Sequence, residues 1–277
     1  MSRLLSANFV RMRKSKTFWI CLLFMFLYGA YVYISDYFEI QRTGYIETVD
    51  AYFFNYAIFV GILIAVFCSL FIGTEYSDGT LRNKLIVGHT KPAIYLSNLI
   101  VCSVVGLLMC IAYIVPACLF GIPLLGFFDT DLKVIVLFVA CSFLMSLAFT
   151  SIATLLCMLN QNKAVSAVVN ILFVLVLLFF ASHINARLDE PERTSVYVYS
   201  VDDGESSALQ TQENPLYLSG TRRKFFEFLL DLLPTGQAIQ LISLSADHPL
   251  RWPFYSLGIL FVTTGFGIFF FKRKDLK

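Results

Sequence analysis

Six stretches of this chain are apolar for long enough to cross a lipid bilayer as helices, and nothing else in the sequence limits the fold so tightly. A hydrocarbon core about 30 Å thick takes roughly 20 apolar residues in a helix. The stretches at about 17–35, 52–73, 93–121, 133–159, 164–182 and 254–271 meet that length. Only 14% of the residues are charged, against about 25% in soluble domains. So little polar surface predicts an all-α integral membrane protein with six transmembrane helices in a single domain over 1–277. Phe18–Ile34 is too long for a signal-peptide core and lacks a small-x-small site after it, so it is expected to stay as an anchor. Pro116 predicts a kink near the end of the third span.

Direction follows from lysine and arginine in the short flanks. Arg3, Arg11, Arg13, Lys14 and Lys16 precede the first span, and Asp36, Glu39, Glu47 and Asp50 outweigh Arg42 after it. Arg82, Lys84 and Lys91 follow the second, Lys163 the fourth, and Lys272, Arg273, Lys274 and Lys277 the sixth. Basic and acidic flanks alternate, which predicts cytoplasmic termini. An amphipathic segment at 222–244 is broken by Pro234-Thr235-Gly236 and carries Glu227 and Asp231. It reads as two short re-entrant helices in the outer leaflet or as one surface amphipathic helix. The preceding loop, with Asp189, Glu190, Glu192, Asp202, Asp203 and Glu205, is too polar to bury a core, although Val196–Tyr199 alternates like a strand.

Residues with catalytic or metal-binding spacing are missing from this pattern. The seven cysteines sit in apolar runs without a C-x-x-C pair and are expected to be buried and reduced. His89, His183 and His248 are too scattered for a metal site. Gly73–Thr80 has two glycines near phosphate-loop spacing but no lysine after the second. No H-E-x-x-H or G-x-S-x-G occurs, so the chain alone is not expected to be an enzyme. The net charge of +2 gives no reason to expect a nucleic-acid partner. The spans carry neutral polar groups instead of a proton or sodium relay. Asn55, Ser142, Ser146, Thr150 and Asn170 are candidate pathway-lining residues, with Ser103, Thr263 and Thr264 as further neutral groups; helix–helix hydrogen bonding is the alternative for all of them.

The stretch GTEYSDGTLRNKLIVGHTKP at 73–92 interrupts the apolar pattern. Ser77 or Thr80 is placed to cap a short helix, with Glu75 and Asp78 at its positive end. Leu81, Leu85 and Ile86 are read as one face, opposite Arg82, Asn83 and Lys84, and Gly88 as the stop. Thr90-Lys91-Pro92 then starts the third span. A plain turn needs fewer residues, so a docking helix is expected.

Glu75-Tyr76-Ser77-Asp78-Gly79-Thr80-Leu81-Arg82 resembles the E-Y-x-x-G-T-L-R signature of type-2 ABC exporter permeases. The six spans, the basic N-terminal segment and the large fifth loop fit that family over nearly the whole chain. The resemblance implies that 1–16 is an interfacial helix and that Glu75, Asp78, Gly79, Thr80, Leu81, Arg82, Asn83, Lys84, Leu85 and Ile86 form an ATPase-coupling helix. It implies two copies of a separate ABC ATPase, which bind the ATP and magnesium, a second permease alike or different, and no cofactor in this chain. It also implies a bacterial cytoplasmic membrane and export of a lipid, polysaccharide, drug, antimicrobial peptide or ion. The 28 phenylalanines and 14 tyrosines favour a hydrophobic or amphipathic substrate, as in antibiotic or peptide resistance. The alternative is a membrane interaction or sensor subunit that transports nothing.

Overall fold

A computed structural model describes residues 1–44, 47–199, 207–246 and 248–275. Asp202, Asp203, Glu205 and Lys277 lie outside the described residues. The chain begins with α1 (Ser2–Lys14), α2 (Lys16–Thr43), α3 (Asp50–Phe53), α4 (Tyr56–Ser77), α5 (Thr80–Ile86) and α6 (Lys91–Pro116). A π-helical turn (Ala117–Gly121) leads to α7 (Ile122–Leu125), followed by α8 (Leu132–Leu159) and α9 (Lys163–Leu188). Strands β1 (Arg193–Tyr199) and β2 (Ser207–Glu213), helices α10 (Gly220–Leu232) and α11 (Pro234–Ser243), a 3₁₀ turn (Pro249–Arg251) and α12 (Trp252–Arg273) complete the order.

By length and composition, six helical segments can cross a membrane: Lys16–Thr43, Asp50–Ser77, Lys91–Leu125, Leu132–Leu159, Lys163–Leu188 and Pro249–Arg273. The all-α membrane fold expected from the apolar runs is the observed one. The helices outrun those runs, because polar residues at a span's end lose nothing by staying helical in water. α2 thus reaches Thr43 and α9 reaches Leu188. Pro116 does not end its helix. Its missing N–H and bulky ring disturb the hydrogen-bond ladder, and the π turn directly after it absorbs the extra residue before α7 resumes.

The core of the bundle packs α4, the most buried span, against α6, α8 and α9, with α2 on α6 and α12 on α8. Six cysteines are buried as expected; Cys118, on the π turn, is exposed. The strand-like 196–199 segment belongs to β1, which pairs antiparallel with β2 from Arg193↔Glu213 to Tyr199↔Ser207.

The 222–244 segment forms two helices, and the break falls at Leu233, one residue before the expected Pro234-Thr235-Gly236. Leu233 is extended, and Pro234 opens α11 as its first residue, where a missing N–H costs nothing. Residues Pro234–Ala238 of α11 are all buried, so α11 packs into the bundle, whereas α10 buries only Leu230 and Asp231. Thr235 Oγ1 donates to the Leu177 carbonyl of α9 at 3.0 Å, and Ser256 Oγ of α12 donates to Gln237 Oε1 at 2.9 Å. Asp231 Oδ1 accepts from Trp252 Nε1 at 3.0 Å and Gln240 Nε2 at 3.2 Å.

The two ends of the bundle differ in charge. At one end lie the C-termini of α4, α8 and α12 and the N-termini of α6 and α9. Here Lys91 Nζ donates to the carbonyls of Lys272 at 3.0 Å and Lys274 at 2.7 Å. Lys274 Nζ donates to those of Met158 at 3.1 Å and Leu159 at 2.9 Å, closing the last turn of α8. Burial pushes the Lys274 ammonium down to about 8. At the other end Tyr52 links Asp36 and Glu47, and Asp50 Oδ2 accepts from the backbone N–H of Asp129 at 2.7 Å.

Candidate functional site

The basic end is built around one carboxylate. Helix α4 continues past its apolar run, so Glu75 falls in its last turns and is completely buried. The expected position, at the positive end of the short helix, is therefore wrong: Glu75 belongs to the helix before it. Neither Ser77 nor Thr80 caps α5. Ser77 Oγ turns back to the Gly73 carbonyl at 3.0 Å and Thr80 Oγ1 to that of Glu75 at 3.2 Å. The N-cap is Gly79, at φ +67°, following Asp78.

Three elements converge on Glu75. Arg11 from α1 and Lys84 from α5 both donate to its Oε1. Asn98 Nδ2 from α6 donates to Oε2 at 2.8 Å. Asn8 of α1 closes the ring: its Nδ2 donates to Asn98 Oδ1 at 2.9 Å and Ser97 Oγ at 2.8 Å, while its Oδ1 accepts from Lys84 Nζ at 3.0 Å. The Arg11 guanidinium also stacks on the Phe71 ring, 3.8 Å from its centroid. One anion faces two cations, so the node keeps a net charge of +1. Burial pushes the Lys84 ammonium below its ordinary range, and Glu75 only partly offsets this.

Two faces of α5 separate at this point. Leu81 is buried in the chain's own core and Leu85 packs against it, with Lys84 between them. Ile86 and Val87 are 82% and 77% exposed, and Arg82 and Asn83 are exposed beside them. The expected face of Leu81, Leu85 and Ile86 is corrected accordingly. Successive helical residues point about 100° apart, so Ile86 falls well away from the Leu81–Leu85 row. Lys84, expected opposite that row, lies within it and is spent on Glu75 rather than on a partner. The exposed surface is Arg82, Asn83, Ile86 and Val87. Gly88 stops the helix as expected: at φ +96° its N–H reaches the Leu85 carbonyl, and His89 N–H reaches that of Lys84. Thr90 Oγ1 then accepts from Ala93 N–H at the start of α6.

The candidate pathway residues lie along the spans, apart from the Glu75 node. Ser142, Ser146 and Thr150 are fully buried and Asn170 nearly so. Tyr56 Oη and Ser142 Oγ lie 2.6 Å apart across α4 and α8, and Thr150 Oγ1 donates to the Ser146 carbonyl at 2.9 Å. Asn170 Nδ2 donates to Ser69 Oγ at 3.1 Å and to the Ser166 carbonyl at 2.9 Å. Thr263 Oγ1 donates to Ser151 Oγ at 2.8 Å across α12 and α8. Tyr56–Ser142, Asn170–Ser69 and Thr263–Ser151 bridge helices within one chain, whereas Thr150 bonds inside α8 and Ser146 Oγ is buried without a partner among the described residues. Asn55 lies half-buried in the turn before α4, and Ser103 is half-buried on α6.

Arg11, Asn8 and Asn98 complete the node, and of these the sequence pattern marks only Arg11 by charge. Asn98 offers a signal of another kind, an amide in an otherwise apolar run.

No curated protein matches the chain. The family model described as "ABC-2 family transporter protein" matches residues 4–180, from α1 through four spans and into the fifth, and includes all of the Glu75 node. The chain belongs to this family and is a multi-pass membrane permease subunit of an ABC transporter, the kind that works with an ABC ATPase.

Proposed function

We propose that this permease is half of an ATP-driven exporter in a bacterial cytoplasmic membrane, moving a hydrophobic or amphipathic substrate such as an antimicrobial peptide, an antibiotic or a lipid. Two ATPase copies dock on it and on a second permease, identical or homologous, and they bind the ATP and magnesium. The end that carries Arg11, Lys84, Lys91, Lys163 and Lys274 faces the cytoplasm, as the excess of basic flanks favours.

One observation carries the reading. α5 presents Arg82, Asn83, Ile86 and Val87 outward while Lys84 ties its inner face to Glu75, and through it to α1, α4 and α6. A push on the outer face is therefore delivered to three membrane-associated helices through short charge-assisted bonds instead of a flexible loop. Ile86 supplies the apolar contact to the ATPase, and Arg82 supplies charge at its rim.

The test is Ile86→Asp, which puts a charge into that contact. Burying an unpaired charge costs several kcal/mol, so the variant is expected to insert normally but lose co-purification of the ATPase and substrate-stimulated hydrolysis. Leu85→Asp, in contrast, should lower the thermal stability of the permease itself. If Ile86→Asp assembles and hydrolyses like the parent, α5 is not the docking element.

A further inference from the structure

A cavity of about 270 Å³ opens beside the Glu75 node, between the α1–α2 joint, the last turns of α4 and the start of α9. Arg11, Lys14 and Lys163 line it, with the hydroxyl-bearing Ser15, Thr17 and Thr74. The Arg11 guanidinium gives Nη1 to Glu75, but its Nε and Nη2 are shut from water and have no partner among the described residues. Unmatched guanidinium donors of this kind are costly, and a fixed fork of N–H groups suits a phosphate oxygen. The node already holds one surplus positive charge, and Lys14 and Lys163 add two more.

We infer that this cavity binds the phosphate of an anionic glycerophospholipid. Leu70 and Phe71 form its wall on the membrane side, while the lysines lie towards the helix ends. A free phosphate ion gains nothing from an apolar wall, whereas a lipid needs one for the glycerol and first methylenes below its head group. The volume is below the roughly 300–1,000 Å³ of a pocket for a drug-sized ligand, which suits a single head group whose chains remain in the bilayer. Basic pockets between helices at a cytoplasmic surface hold anionic head groups in this way. The lipid phosphate would share Arg11 with Glu75, placing the leaflet's anionic content in direct contact with the device that moves α5. The inner-leaflet location rests on the orientation proposed above; head-group recognition does not.

The full chain in neutral detergent micelles, titrated separately with phosphatidylglycerol, phosphatidylcholine and sodium phosphate, tests this by native mass spectrometry and thermal unfolding. Phosphatidylglycerol should bind more tightly and stabilise more than phosphatidylcholine. Lys14→Gln and Lys163→Gln should each weaken phosphatidylglycerol about fivefold, as expected for one lysine near an anionic surface, and leave phosphatidylcholine unchanged. Lys14 is exposed, so its variant carries the test alone if Lys163→Gln, which packs against Gly73, fails to fold. Lys272→Gln, at the same end but outside the cavity, should bind phosphatidylglycerol like the parent. Three results would overturn the inference: equal losses for Lys272→Gln and the cavity lysines, no discrimination between the two lipids, or equal stabilisation by sodium phosphate. Micelles have no sides, so a wrong orientation leaves these readings untouched and is detected instead by cysteine labelling.

Discussion

Glu75 is worth more to this protein than its surface ion pair. Arg223 and Glu227, one turn apart on α10 and each about a third exposed, form a pair at 3.0 Å; such exposed i,i+4 pairs contribute about 0.3–0.5 kcal/mol. Glu75 is fully buried and has two cations on it, and removing one member of a buried network costs about 3–5 kcal/mol because the others are left unpaired. Glu75→Ala is therefore expected to unfold in detergent at a much lower temperature than the parent. Lys84→Ala leaves Glu75 with Arg11 and should cost less. Equal, near-parental melting of both variants would mean that the node is slack and transmits nothing. Lys84→Ala should still separate the mechanical role from the structural one: ATPase binding survives on Ile86 and Val87, while stimulation of hydrolysis by substrate falls.

At the scale of elements, the paired helices α10 and α11 depend on contact between backbones. A Cβ on Gly236 would lie 2.1 Å from the Leu230 carbonyl oxygen of α10, a backbone atom that cannot swing aside. Gly236→Ala is expected to part α10 from α11 and disturb the seam with α9. The measurement is protease sensitivity of the 220–244 segment, which should rise while the other spans stay protected; unchanged cleavage would show that the pair adjusts. That these two helices exist was legible from a proline between apolar runs, and the six spans were legible from length alone. α5 was only half legible. Its glycine stop and the Thr90–Pro92 restart are local chemistry and stand in the sequence. Which side of a seven-residue helix faces the body depends on neighbours elsewhere in the chain. Lys84 turns inward because a buried carboxylate awaits it, and nothing local announces that α4 carries Glu75 past the apolar run. Arg11 lies 64 residues before Glu75 and Asn8 lies 90 before Asn98, distances at which single-sequence patterns say nothing of contact. For the same reason, the sequence does not say which hydroxyls and amides in the spans bond across the bundle, as Ser142 and Asn170 do.

For the whole molecule, the basic and acidic ends give a direct topological expectation. Cys118 is the exposed native cysteine among the described residues, so it is replaced first. Single cysteines introduced at Arg13, Arg82 and Lys163 should then react with an impermeant reagent only from the cytoplasmic side, and those at Glu47 and Asp129 only from outside. A cysteine at Lys274 reacting from outside would overturn the orientation. The Glu75 node also sets an order of events during synthesis. α1 leaves the ribosome long before Asn98, and its Arg11 and Asn8 have no buried partners until the second and third spans and the helix between them are in place. Until then those two side chains have no counterpart in the chain to bond. Docking of α1 therefore reports that the first three spans have inserted in the right sense. An inverted hairpin would leave Glu75 on the far side of the bilayer, without its counter-charges and without a bundle to join.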